Sequence, residues 1–381
     1  MTVLLWTSLL VVGFAYAGYP LVMALIAWLR PLPIQTGDVT PGIDVLLVVH
    51  NGAPWVVAKQ CNLLALDYPC ERLRIHIVCD GCTDSTEALL RANAHPRVHV
   101  YPFAERRGKS ACIGKVLPLL NNELVLFTDV RQRLDAAAAR ALAAVFADTA
   151  VGAASGELVL ENAMGYGKGI DAYWRYEKLI RRIESSSGSL VGVTGALYAA
   201  RRTALPEVPT GLVLDDMWIP LCIADNGLRV VFVPTARAFD QAAVDVEAEQ
   251  QRKRRTLAGN FQLLHRWPQL ALPGAHPLVW RLWGHKWLRL LAPWLLLTAY
   301  ISNAVLALHH PLYAVLFVAH SFGYALVALG RWFPATMALA PVRLASAFFT
   351  LNLSAARALI DYLCNRDGHL WQVTRLEKAS Q

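Results

Sequence analysis

Charge is scarce in this chain: only 17% of its 381 residues are Asp, Glu, Lys or Arg, while 55% are hydrophobic. That balance excludes a purely soluble multidomain protein and requires lipid for part of the chain. No basic residue precedes Arg30, so the opening segment lacks the charged start of a secretory leader. The phosphate-cradling spacing GxxxxGK[ST] is missing, which leaves nucleoside triphosphate hydrolysis unsupported. "CDGC", Cys79 to Cys82, has the gap of a zinc or redox half-site, but no second Cys or His pair completes it.

What is present begins with an apolar run from Val3 to Ala27, long enough to cross roughly 30 Å of hydrocarbon. It reads as an uncleaved anchor. Two further runs, Leu288 to Leu308 and Leu312 to Leu329, flank His309, His310 and Pro311 and read as a helical hairpin. Leu339 to Leu363 carries Arg343, Arg357 and Asp361 and fits an interfacial helix better than a span. Basic residues gather at Arg30, Arg281, Lys286, Arg289 and Arg331, which predicts a cytoplasmic middle segment and a multi-pass protein of the plasma (inner) membrane. The seven cysteines fall in the parts placed in the cytoplasm, where thiols stay reduced. The net charge of +8 suits anionic lipid and a phosphorylated substrate better than nucleic acid, because the basic residues lie beside the membrane segments.

From Ile43 the pattern changes to short strands alternating with helices. "IDVLLVVH", "LRIHIVC", "VHVY" and "ELVLFTD" read as strands, with helices over Ala53 to Leu66, Asp84 to Asn93 and Ala136 to Phe146. Such alternation predicts an α/β fold with a mainly parallel sheet, whose ligands bind beyond the carboxyl ends of the strands. Polar groups stand there: His50, Asn51 and Gly52 after the first strand, Asp80, Gly81, Thr83 and Asp84 after the second, Thr128, Asp129 and Arg131 after the fourth. Asp84 or Thr83 also suits a helix N-cap. "ERRGK" sets Arg106, Arg107 and Lys109 around Gly108 before a helix, either a diphosphate cradle or a solvated basic loop. Asp215 and Asp216 fit equally an acidic helix start, and Glu247 to Leu264 is a basic amphipathic stretch.

Taken together, these segments resemble the family 2 glycosyltransferases of the membrane-embedded, cellulose-synthase-like and hyaluronan-synthase-like branch. The resemblance covers about Ile43 to Leu264 and rests on "VVHNG", "DGCTD", "FTDVRQR", "SLVGVTGALYAARR", "LDDMWIPL" and "QQRKRRTLAGNFQLL". It implies a GT-A type, Rossmann-like catalytic domain. The donor would lie against His50, Asn51, Asp80, Lys109, Asp129 and Arg131, with Asp80 on the uracil or ribose of a nucleotide sugar. The acceptor would meet Thr194, Gly195, Asp215, Gln251, Arg254 and Arg255, Asp216 would be the general base, and Asp129 would hold Mg²⁺ or Mn²⁺. Five positions depart from the family pattern: His50 replaces a Tyr and Gly52 an acid in the first motif, Cys82 replaces a Ser, Arg131 stands where the second metal-binding acid is usual, and Arg255 where a sugar-stacking Trp is usual. "WQVTR", with Trp371, Thr374 and Arg375, is similar to a gating loop.

The expected organisation is an anchor over 1–30, a catalytic domain over 31–246, interfacial helices over 247–285, a transmembrane hairpin over 286–332, and an interfacial or membrane helix with a cytoplasmic tail over 333–381. The expected activity is inverting transfer from a nucleotide sugar, UDP-linked by resemblance, to a growing polysaccharide chain. Transfer of one sugar to a membrane lipid is the alternative, and a non-catalytic scaffold subunit is a third reading. A homo-oligomer or a secretion partner would accompany the polymer reading, and no nucleic acid is expected.

Overall fold

The computed structural model describes residues 1–161, 167–241 and 246–364. Its strands are β1 (Ile43–Val49), β2 (Leu73–Asp80), β3 (Val98–Phe103), β4 (Leu124–Thr128), β5 (Arg133–Leu134), β6 (Val151–Glu161), β7 (Leu197–Arg201) and β8 (Arg229–Gln241). They form one sheet in the order β3-β2-β1-β4-β7-β6-β8-β5. β3, β2, β1 and β4 run parallel, β7 is antiparallel to β4 and β6, and β6 is parallel to β8. The mostly parallel α/β sheet expected from the sequence is therefore present.

The helices are α1 (Thr2–Leu29), α2 (Val56–Leu64), α3 (Thr86–Ala92), α4 (Lys109–Val116), α5 (Ala138–Ala144), α6 (Gly167–Ser186), α7 (Asp215–Asp225), α8 (Val246–Arg266), α9 (Val279–Ala307), α10 (Pro311–Trp332) and α11 (Ala340–Cys364). Every residue of β1 is buried, as expected for a strand covered on both faces. Its alternate side chains enter two cores. Leu46 and Val48 pack with Ile113 of α4, Ile219 of α7 and Leu263 of α8. Val45, Leu47 and Val49 pack with Val56 of α2, Leu90 of α3 and Leu142 of α5. The first core continues into Leu282, Trp287 and Leu290 of α9, so the catalytic sheet and a candidate membrane helix share one apolar layer.

Among the described residues three helices, α1, α9 and α10, are long and apolar enough to cross a membrane. α9 starts at Val279, earlier than the Leu288 expected. Arg281, Lys286 and Arg289 made the preceding stretch look extramembranous, yet the helix runs through them by way of a π-turn at Trp283–Trp287. Between α9 and α10, His310 Nδ1 accepts from Leu312 N at 3.2 Å and caps the second arm. α11 carries the three charges noted in the sequence and lies against the other helices: Phe348 packs on Tyr16 at 5.1 Å and Phe349 on Tyr324 at 6.1 Å.

Candidate active site

Parallel strands bring their carboxyl ends to one rim, and the chain's progression along the sheet reverses between β1 and β4, where α/β proteins place ligands. The loops after β1 and β2 are stapled there. Asn51, the one described non-glycine residue with positive φ, accepts from Thr83 N at 2.8 Å and donates to Thr83 Oγ1 at 3.1 Å. Gly52 N donates to Thr86 Oγ1, and Ala53 N to Asp84 Oδ2. A Cβ on Gly52 would fall 2.3 Å from Val49 Cγ2, a physical reason why this position holds no acid. His50 Nδ1 lies 2.7 Å from the Asp80 carbonyl.

Asp80 is fully buried. Its carboxylate accepts from Arg107 N at 2.6 Å and Gly108 N at 2.9 Å, so it folds the basic loop back over the rim. Both oxygens meet the protein's own backbone. Gly81, with φ +57°, allows the loop's approach, since a Cβ there would lie 2.5 Å from Arg106 N.

β7 runs back alongside β4, pairing Leu197 with Thr128, and this delivers Thr194 and Gly195 to the same rim. The Thr128 hydroxyl donates to the Ala196 carbonyl at 2.9 Å. A Cβ on Gly195 would stand 3.4 Å from Asp216 Oδ2, 3.6 Å from Lys109 Nζ and 3.8 Å from Asp129 Oδ2. Three charged groups from α7, α4 and the end of β4 therefore meet around one glycine. Lys109 Nζ donates to Asp129 Oδ1 at 2.8 Å and lies 3.6 Å from Asp215 Oδ2. Burial alone would depress the Lys109 ammonium, but Asp129 and Asp215 outweigh it and hold the group above its ordinary range. Burial and the neighbouring Asp215 and Asp129 push the Asp216 carboxyl up to about 6, with Lys109 and Arg181 opposing. Asp215 and Asp216 open α7, so the acidic helix start and the site are the same feature.

Two of the arginines singled out in the sequence have carboxylate partners. Arg131 pairs with an acid of β8. Its Nη2 lies 3.1 and 3.2 Å from the carboxylate of Asp240 on β8, which also accepts from Gln132 Nε2 at 2.8 Å. The cation is thereby tied to a buried acid. Arg254 makes a two-pronged pair with Asp361 of α11 at 2.8 Å on each nitrogen. Arg255, one residue on, is the arginine that approaches the carboxylates: burial lowers its guanidinium, opposed by Asp215, Asp216 and Asp129. Gln251 is exposed on the same helix. Trp371, Thr374 and Arg375 lie outside the described residues.

Other groups carried no readable sequence signal. Lys59, buried in α2, donates to Thr128 Oγ1 at 2.8 Å and to the Gln132 carbonyl at 2.6 Å, bracing the loop that carries Asp129. Burial lowers its ammonium to about 7, opposed by Asp129. At the junction with the apolar helices, His285 Nδ1 meets Glu184 at 2.8 Å and Nε2 meets Glu177 at 3.0 Å, while Arg289 reaches Glu177 at 2.5 Å and the Tyr19 hydroxyl bonds Glu184. A single Lys, His or Glu on a helix is ambiguous in sequence; only their convergence distinguishes them. The "CDGC" thiols are free, and among the described residues no three His, Cys, Asp or Glu gather as a preformed metal cage.

A rim of this kind on a mostly parallel sheet, with helices of membrane-crossing length beside it, defines the class of GT-A glycosyltransferases. The fold matches a mannosyltransferase from Pyrobaculum calidifontis, solved with GDP-Man and Mn²⁺, with a TM-score of 0.69 over 95% of this chain and 99% of that one, at 23% identity. The family model described as glycosyl transferase family group 2 matches residues 124–351, and the chain belongs to that family. It is 24% identical over 219 residues to an N-acetylglucosaminyltransferase of Rhizobium sp. (strain N33); this covers 53% of the chain and about half, 48%, of that relative's length.

Proposed function

We propose that this glycosyltransferase moves a sugar from a nucleotide sugar to a membrane-borne acceptor with inversion, Asp216 acting as general base. The observation that carries the reading is the meeting of Asp216, Lys109 and Asp129 around Gly195. A carboxyl poised near 6 is ionised at neutral pH yet still basic enough to accept a hydroxyl proton, which is the balance general-base catalysis needs. Proton transfer from the acceptor oxygen to Asp216 accompanies that oxygen's attack on the anomeric carbon, and the nucleoside diphosphate departs from the opposite face. Lys109 and Arg255 stand where negative charge grows on the leaving group. Gly195 keeps the centre open, and Thr194 and Asp215 border it on the acceptor side. His50 and Asn51 shape the donor rim, with Asp80 acting through the basic loop that it folds.

Divalent-metal dependence fits the donor chemistry. Asp129 offers a hard oxygen at the rim, and Mg²⁺ or Mn²⁺ characteristically takes one or two carboxylates and completes its shell with phosphate oxygens and water, needing no all-protein cage. Such an ion, when bound by Asp129, supplies charge stabilisation to the diphosphate. The ligands of the Pyrobaculum enzyme, GDP-Man and Mn²⁺, support the metal, and they leave guanosine as well as uridine among the candidate bases.

The acceptor favoured is a lipid that receives one sugar. Arg255 replaces an aromatic stacking platform with a cation directed at carboxylates, and three candidate spans enclose little space for a polymer. Polysaccharide extension retains the support of the resemblance and of the N-acetylglucosaminyltransferase relative. The segment from β1 to β8 would face the cytoplasm, with α11 lying along the interface. Incubating the full chain in lipid with labelled UDP- and GDP-sugars and Mn²⁺, then sizing the product, tests this: one glycolipid band is expected, and a ladder of long products would replace this reading with polymer extension.

A further inference from the structure

Helix α6 sets Glu177, Arg181 and Glu184 along one stripe, at spacings that share a helix face. The two glutamates are occupied by His285, Arg289 and Tyr19. Arg281, on α9, is occupied as well: its guanidinium donates to the carbonyls of Glu184, Ser187 and Ser189 at 2.7–3.0 Å. Two cations of this junction are left. Among the described residues, neither Arg181 nor Lys286 has a hydrogen bond or an ion pair.

Their placement is specific. Lys286 follows His285, which bridges the glutamates on both sides of Arg181, so Lys286 and Arg181 meet at the α6–α9 contact, where Glu177 and Glu184 attract Lys286 and Arg181 and Arg289 repel it. Arg181 also acts on Asp216. Both side chains are partly buried, and with Arg281 and Arg289 they outnumber Glu177 and Glu184, a surplus of partly desolvated cations that is unfavourable unless a further anion completes it. The cations of the donor side, Lys109 and Arg255, stand with Asp129 instead.

We infer that Arg181 and Lys286 form a phosphate subsite that holds the headgroup of the acceptor lipid and turns its reacting hydroxyl toward Asp216. The inference rests on the reading of Asp216 as the transfer centre and adds the chemical class of the acceptor: a lipid bearing a phosphate. A lipid source is favoured over free phosphate because Lys286 belongs to a helix of membrane-crossing length whose outer surface exposes Leu291, Trp294, Leu297 and Ile301. Acyl chains can lie on that surface while the phosphate reaches the two cations. Arginine and lysine together suit a phosphate, one by fork geometry and one as a point charge.

The test uses the full chain in neutral detergent and calorimetry with three probes: a short-chain phosphatidic acid, the diacylglycerol of the same chain length, and inorganic phosphate. Phosphatidic acid should bind at least about tenfold more tightly than either other probe, the equivalent of one good charged contact. Arg181→Gln and Lys286→Gln should each remove most of that advantage, and Lys286→Arg should keep it. Equal binding of phosphatidic acid and diacylglycerol by the unmodified chain overturns the subsite whether or not the variants fold, and so does unchanged binding in both Gln variants. Inorganic phosphate binding as tightly as the lipid overturns the lipid assignment. Nucleoside diphosphate binding with Mn²⁺, measured in parallel and in Asp129→Asn, reports on the donor site alone, so a failed donor site and a failed phosphate subsite give different patterns.

Discussion

Two clusters of buried charge lie in this molecule, and they are built to opposite rules. At the rim, Asp129, Asp215 and Asp216 crowd around the Lys109 ammonium, and the Asp216 carboxyl is pushed up to about 6. At the helix junction, Glu177 and Glu184 are matched by His285 and Arg289, and both carboxyls are held below their ordinary range, because these partners outweigh the burial that would raise them. Burial is common to both. What differs is whether each carboxylate has its own partner: a matched network fixes the helices against the sheet, and an unmatched one leaves a group ready to take a proton.

Removing one carboxylate from each cluster gives the sharpest contrast. Asp216→Asn should lower kcat by about 10²–10⁴-fold, the usual worth of a positioned base, while leaving donor affinity and the unfolding temperature near those of the unmodified enzyme. A fully active Asp216→Asn enzyme would remove the base assignment. Glu184→Gln should instead cost about 3–5 kcal/mol of stability, as expected when one partner of a buried pair is lost; thermal unfolding in detergent measures it, and an unchanged midpoint would show that the network is not holding the junction.

Acidification should act on the clusters in opposite senses. Asp216 binds its proton more tightly when folded, so its contribution to stability is fully present below its ordinary 3.8 and fades as pH rises through about 6. Glu177 and Glu184 bind theirs less tightly when folded; their contribution is present above the ordinary 4.5 and is lost as pH falls below it. Activity should fall as pH drops through about 6, where Asp216 becomes protonated, and kcat/KM against pH would show a limb there that Asp216→Asn lacks.

Smaller effects test the two displaced arginines. Arg131→Asp, which restores the acid usual at that position, should bring no tighter metal dependence, because the new carboxylate faces Asp240; a loss of about 1–3 kcal/mol is expected from a buried acid that keeps Gln132 but exchanges its Arg131 partner for a like charge. Exchanging the charges, Arg131→Asp with Asp240→Arg, should recover most of it in the same unfolding assay. Smallest of all, Arg254→Ala should cost about 0–1 kcal/mol, since its pair with Asp361 is partly exposed. Any larger loss of kcat, reversed by the swap Arg254→Asp with Asp361→Arg, would mean that α11 sets the position of Arg255.

The strands carried the clearest signal in the sequence. "IDVLLVV" and "LVLFT" are apolar throughout because both faces of the sheet are covered, and a continuous run followed by a polar cluster marks a strand end at the rim. Helix ends were less legible: the one expected over Ala53 to Leu66 spans Val56–Leu64, because Gly52 and Ala53 are drawn into hydrogen bonds with the neighbouring loop. The partners of Arg131 and Arg254 were not legible for a shared reason. A motif fixes where a residue stands along the chain, but a long cationic side chain turns to the nearest buried acid, and Asp240 and Asp361 are 109 and 107 residues away.

Periodicity, apolar run length and the spacing of acids, all local properties, were thus sufficient by themselves to determine the α/β class, the apolar helices and the family resemblance. The partners of each charge were decided by the tertiary structure alone: Asp80 with its loop, Lys59 beneath Thr128, Arg254 with Asp361, and a surplus of cations at the junction. Electrostatic pairing depends on distance through space and on exclusion of water, and neither is written into the order of residues.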